Sequence, residues 1–173
     1  MVVLAQAAGV GAERIGGKAA TLAGLRAAGF PVPPGFVVTD DAFTLPDRAF
    51  DAAITVAVAE LGDGPFAVRS SAAAEDLADA SYAGLYETFL NVPAEQVPAA
   101  VRRCHAAATA PQVTAYQRTR AVGHTAGPGM AVLVQPMVPA DAAGVAFTAD
   151  PVTGERDHIV ITAGMSGLLL GRQ

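Results

Sequence analysis

The sequence predicts a mixed α+β domain, not a doubly wound parallel sheet. Apolar residues at helical spacing are concentrated in the early and middle parts of the chain. Three short apolar runs that read as strands close it, with turns rather than helices between them. Gly and Pro clusters punctuate the boundaries of both kinds of element. The chain has 173 residues, 52% hydrophobic and 16% charged, which excludes a disordered polymer and suffices for a packed core.

The first helix follows Ile15-Gly16-Gly17-Lys18, with Leu22, Leu25 and Ala28 at helical spacing. Gly29 stands where a left-handed C-terminal cap belongs, and Pro31, Pro33 and Pro34 forbid continuation. Phe36-Val37-Val38 reads as a short strand. Thr39 is placed to cap a brief helical turn over 40–44, with Asp40 and Asp41 at its positive end. A second helix over 47–61 carries Phe50, Ile54, Val58 and Leu61 on one stripe. Gly62-Asp63-Gly64-Pro65 is a turn, 66–69 a strand, and 82–92 an extended segment. Helices are expected over about 94–109 and from Pro111, suited to a first helical position, to about Val122. After a loop at 123–129 come strands over 130–138, 144–148 and 157–162, with a tight turn at Asp150–Gly154.

The formal net charge is −5, no basic cluster exceeds the pair Arg102-Arg103, and Lys18 is the single lysine. A nucleic-acid partner is therefore not expected, because such affinity rests on many phosphate-neutralising cations. A nucleotide needs only a few. Cys104 is the single cysteine, so an internal disulfide or a cysteine zinc cluster is excluded, and its Ala-rich helical setting predicts burial. No apolar run reaches about 18 residues and no signal-peptide pattern opens the chain. The expectation is a soluble cytoplasmic protein without a membrane partner. The three histidines show no metal-ligand spacing: His105 falls on a helix as a solvated side chain, His158 opens a strand, and loop residue His124 lacks an orienting carboxylate.

Chemistry concentrates in 66–92. This stretch holds Arg69 beside Ser70 and Ser71, the paired carboxylates Glu75-Asp76, and an extended run with Gly84 and Thr88. An Arg fork can hold two phosphate oxygens while hydroxyls and backbone N–H groups take the others. A surface turn with an incidental Arg fits the same residues. Glu75-Asp76 suits Mg²⁺, yet adjacent loop carboxylates more often stay in water. Gly16-Gly17-Lys18 at a helix start allows close backbone approach to an anion, without the P-loop spacing. Met130–Val138 is an apolar strand interrupted by Gln135, either an edge-capping amide or one that reads an adenine between apolar walls.

Taken in order, five segments resemble the N-terminal ATP-binding domain of the phosphoenolpyruvate-utilising phosphotransferases. That family includes phosphoenolpyruvate synthase, pyruvate phosphate dikinase and rifamycin phosphotransferase. The segments are Gly16-Gly17-Lys18 through Leu25, Gly29 through Val38, Val68-Arg69-Ser70-Ser71 through Val92, Val134 through Val138, and Gly144 through Gly154. The resemblance implies an ATP-grasp-like fold built from subdomain elements over about 1–92 and 93–173, with ATP between them and Mg²⁺ as companion. It implies Lys18 and Arg69 as the catalytic, phosphate-contacting cations, Gly84 and Thr88 on the phosphate-covering strand and loop, and Gln135 and Val138 around the adenine. It also implies phosphoryl transfer from ATP to a phosphohistidine carrier domain not present in this chain, for which a separately encoded domain is one candidate partner.

Two departures qualify those expectations. The interval from Phe43 to Phe66 is shorter than the family pattern, and the residues after Thr162 match its Gly-Leu-Gly-Glu run poorly. The metal-binding carboxylates and the phosphohistidine motif have no counterpart, so the domain is expected to be truncated at its C-terminus, with no metal ligand assigned. A non-catalytic nucleotide or partner-docking module and a degenerate remnant stay open as alternatives.

Overall fold

The protein is described by a computed structural model over residues 1–72, 87–108 and 130–165. It divides into two units, Met1–Met137 and Val138–Gln173. The first unit is built on a five-stranded antiparallel sheet. Its strands are β1 (Val2–Val3), β2 (Phe36–Val38), β3 (Phe66–Ala72), β4 (Thr88–Val92) and β5 (Met130–Pro136), in the order β1-β2-β5-β3-β4. Four described helices accompany it: α1 (Ala12–Ile15), α2 (Gly17–Ala27), α3 (Asp47–Leu61) and α4 (Val97–Ala108). The mixed α+β class expected from the pattern is the class found.

Period-2 alternation along the strands sorts most of the core into two large clusters, one on each sheet face, with Ala72 and Met130 forming a third, small one. Phe36 and Val38 of β2, Phe66 and Val68 of β3, and Val132 and Val134 of β5 pack with Phe50, Ile54 and Val58 of α3 and Val97, Val101 and Cys104 of α4. The intervening residues Val37, Ala131 and Leu133 pack with Ile15 of α1, Ala19 and Ala23 of α2, and Leu4. β5 is thus apolar on both faces, which explains its unbroken run Met130–Val134. Register is tight: Arg69 of β3 lies opposite Leu133 of β5 and opposite Thr88 of β4.

The expected stripe of α3 is the one buried, with Phe50, Ile54 and Val58 inward and Leu61 at the margin. Gly29 caps α2 at φ +88°, where the amides of Gly29 and Phe30 bond the carbonyls of Arg26 and Leu25, a Schellman closure. The inward face of α2 differs from expectation. Ala19 and Ala23 are buried while Leu25 is exposed, so the helix meets the sheet through small side chains. β3 runs on to Ala72, past the expected end at Arg69, because Ser70, Ser71 and Ala72 pair with Val132, Ala131 and Met130.

Two polar expectations are corrected. Thr39 sits at the cap position of the 3₁₀ turn Asp40–Thr44, yet its buried hydroxyl makes no cap hydrogen bond. His105 is not solvated; its ring stacks on Phe43 at 3.7 Å and its Nε2 lies 2.8 Å from Asp40 Oδ1. Arg102, one turn back on α4, bridges Asp47 and Asp51 of α3 at 3.0 Å each and lies over the Phe50 ring. These contacts stitch the two helices along an exposed seam. The expected helix 111–122, the loop 123–129 with His124, and the part of 82–92 before Glu87 lie outside the described residues.

Among its described residues the second unit carries one hairpin, β6 (Ala142–Phe147) against β7 (Val160–Met165), paired from Ala142–Met165 to Phe147–Val160. β7 begins later than expected, so His158 precedes the strand. The turn at Asp150 is where the sequence put it. Asp150 Oδ1 accepts the amides of Val152 at 2.7 Å and Thr153 at 2.9 Å, closing an Asx-type turn. Those amides, Thr153 first, hold the Asp150 carboxyl below its ordinary value, with His158 adding to the effect. A depressed carboxyl contributes turn stability above its unfolded pKa and loses it as pH falls through the folded one. In an NMR titration the Asp150 carboxyl is expected to titrate below the ordinary aspartate value, with the Val152 and Thr153 amides shifting in step. A midpoint at or above that of an aspartate in an unstructured peptide would contradict the turn.

Candidate functional site

The start of α2 is seated directly on β3. Gly16 precedes the helix at φ +80° and ψ +157°, a conformation essentially reserved for glycine. A Cβ there would stand 2.0 Å from the Ser71 carbonyl oxygen, so the absence of a side chain is what lets the two backbones meet. Gly16 cannot supply a capping oxygen. The Ser71 hydroxyl supplies one instead, accepting the Ala19 amide at 3.1 Å across 52 residues of sequence. It thereby satisfies one of the donors that every helix start leaves unmatched. Lys18 adds a second tie, its Nζ donating to the Ser70 carbonyl at 3.0 Å.

Alternation along β3 directs Phe66 and Val68 toward α3 and α4, so Arg69 and Ser71 face the α2 side. Arg69 shares that face with its cross-strand neighbours Leu133 and Thr88, the latter exposed. Its guanidinium Nε is buried and, among the described residues, has no hydrogen-bond partner. Ser70 faces the opposite layer, where its buried hydroxyl is likewise unmatched. The serine pair is therefore split across the sheet, and only Ser71 joins the cation face. Lys18, Arg69 and Thr88 are brought to one sheet face at the end where β3 meets the α2 start. Gly84 and the carboxylates Glu75-Asp76 lie outside the described residues.

Gln135 is nearly buried, and its Nε2 donates to the Pro33 carbonyl at 3.0 Å, anchoring the chain that leads into β2. Its amide nitrogen thus serves the fold. Val138 opens the second unit and is 58% exposed. An apolar pocket lined by Val38, Ala42, Leu45, Phe50 and Ile54 lies on the α3 side, away from Lys18 and Arg69. Among the described residues, the grouping tight enough for a metal ion is Glu155, Asp157 and His158. All three are exposed, and the His158 ring is already engaged by Asp157 and Asp150. The role of Ser71 escaped the sequence reading because no local pattern announces a cap supplied from a distant strand. The one available signal was a glycine at a helix start that has no side-chain oxygen of its own.

The described elements define a mixed α+β domain built on an antiparallel sheet. Residues 45–168, well over half of the chain, match the family model described as pyruvate phosphate dikinase, AMP/ATP-binding domain, and the chain belongs to that family. It is 41% identical over 178 residues to the prodigiosin synthesizing transferase PigC of Serratia marcescens, covering 86% of this chain and 20% of that protein. A rifampicin phosphotransferase of a Streptomyces species is 44% identical over 122 residues, covering 69% of this chain and 14% of the relative. The phosphoenolpyruvate synthase of Aeropyrum pernix is 34% identical over 208 residues, covering 91% and 25%. The chain thus spans a quarter or less of these curated relatives. Among the described residues no helix is long and apolar enough to cross a membrane.

The seating of α2 on β3 makes a direct stability prediction. Gly16→Ala forces a side chain into a glycine-only conformation and against the Ser71 backbone, at a cost of about 3 kcal/mol or more. Urea unfolding should show that loss. A midpoint unchanged from wild type would contradict the contact.

Proposed function

We propose that this chain binds ATP through its phosphates, with Lys18 and Arg69 as the phosphate-contacting cations and Thr88 beside them; the role of Gly84 on the phosphate-covering segment rests on the family resemblance alone. The observation that carries this reading is the buried Arg69 Nε without a partner, on the sheet face that Lys18 reaches. A buried donor left unmade costs about 1–3 kcal/mol, more when charged, and a phosphate oxygen is the acceptor that would recover it. The α2 start itself is closed by Ser71, so Lys18 is what that helix contributes to a ligand. Membership of an AMP/ATP-binding family supports the same ligand.

Bound ATP would supply a phosphoryl group, and this chain's residues would hold and neutralise it. Lys18 acts as a point charge at the end of a flexible stem; Arg69 offers a planar fork fixed by its strand. The acceptor in this proposal is a phosphohistidine carrier supplied by another domain, as in an ATP-grasp phosphotransferase of the cytoplasm. Mg²⁺ belongs to the proposal as a companion of the phosphates, which two cations leave incompletely neutralised. The adenine roles of Gln135 and Val138 rest on the family resemblance alone.

Isothermal titration with Mg-ATP tests the reading. Binding is expected for the wild type and lost in the double variant Lys18→Ala plus Arg69→Ala. No heat above dilution at millimolar ATP would overturn it. Where binding holds, release of AMP and phosphate separates an enzyme from a binding module.

A further inference from the structure

We infer that Ser71 is a positioning residue for the nucleotide phosphates, acting through the α2 start and not by touching the ligand. The inference rests on the ATP reading above and adds a residue to it. Three observations converge. The Ser71 hydroxyl is the cap of α2, accepting the Ala19 amide at 3.1 Å in a fully buried setting. The Ser71 carbonyl is the surface against which Gly16 packs. Lys18 lies between those two contacts in sequence, and its Nζ is tied to the carbonyl of Ser70, next to Arg69.

One strand residue therefore fixes the helix start on both sides of Lys18. Arg69, two residues back on the same strand and the same face, takes its position from the sheet. The Ser71 hydroxyl is what converts two independently mounted cations into a pair with a set separation. A polyphosphate gains from that fixed spacing, because little ordering then remains to be done on binding. Ser71 cannot itself serve as a phosphate ligand in this arrangement, since it is fully buried beneath the helix it caps.

Titrations with Mg-ATP at 15 °C, with folding of each variant verified by circular dichroism, separate positioning from general support. Ser71→Ala is expected to weaken ATP binding roughly tenfold, while in a Lys18→Ala background the same change costs less than about twofold, because the side chain it positions is gone. Ser71→Thr, which keeps the oxygen acceptor, should bind within about twofold of wild type. Equal losses in both backgrounds, Ser71→Ala binding like wild type, or Thr binding no better than Ala would each overturn the inference. Ser71→Cys replaces Ser71→Ala if the latter does not fold; unfolding of both would make the hydroxyl a folding determinant and overturn the positioning role. A wild-type chain that gives no heat with ATP overturns the nucleotide reading and this inference together, whereas wild-type binding without a Ser71→Ala loss overturns this inference alone.

Discussion

Burial of both faces of β5 is the constraint on which the first unit depends. A strand apolar on each side must be covered twice, and the chain meets this with α3 and α4 over one face and α1 and α2 over the other. The two covers differ in kind. The α3–α4 side is filled by Phe50, Ile54, Phe66 and several valines, and is a conventional core. The α2 side is closed by Ala19, Ala23 and a glycine against backbone, so the helix lies near enough to exchange polar contacts with the strand. That closeness allows Ser71 to cap α2 and Lys18 to reach the Ser70 carbonyl.

Much of this was legible from sequence, and the reasons are local. α3 was readable because Phe50, Ile54 and Val58 keep a helical period between a proline and a glycine. Gly29 announced the end of α2, and Asp150 announced its turn, because both rest on chemistry within a few residues. The misreadings share a different cause. The buried face of α2 was missed because alanines carry a weak hydrophobic signal, and the heavier Leu25 drew the stripe to the wrong side. His105 read as solvated because its partners, Asp40 and Phe43, come from an element far away in the chain. The unusable Thr39 cap, the length of β3 and the role of Ser71 were likewise settled by cross-strand or helix–sheet contacts that spacing does not encode.

The cation face shows the same division. Residue types at 16–18 and 69–71 pointed to phosphate chemistry, and the fold brings Lys18 and Arg69 to the same end of β3. Sequence treated Ser70 and Ser71 as equivalent hydroxyls near an arginine. The sheet separates them: one faces the α3–α4 layer and the other holds the helix that carries Lys18. Gln135, read either as a strand amide or as an adenine reader, spends its amide nitrogen on the Pro33 carbonyl. What the site offers a ligand is therefore concentrated in the two cations, since the helix start is closed by Ser71.

The buried, unmatched Nε of Arg69 is the centre of the account, and its resonance can be watched directly. With uniformly ¹⁵N-labelled protein, the Arg69 Nε–H signal, assigned by its loss in Arg69→Lys, should shift and become protected from exchange as Mg-ATP is added. Adenosine, which lacks phosphates, should leave it unmoved. Saturation with ATP while the Arg69 Nε–H signal stays unchanged would contradict the assignment of this strand face to the phosphates.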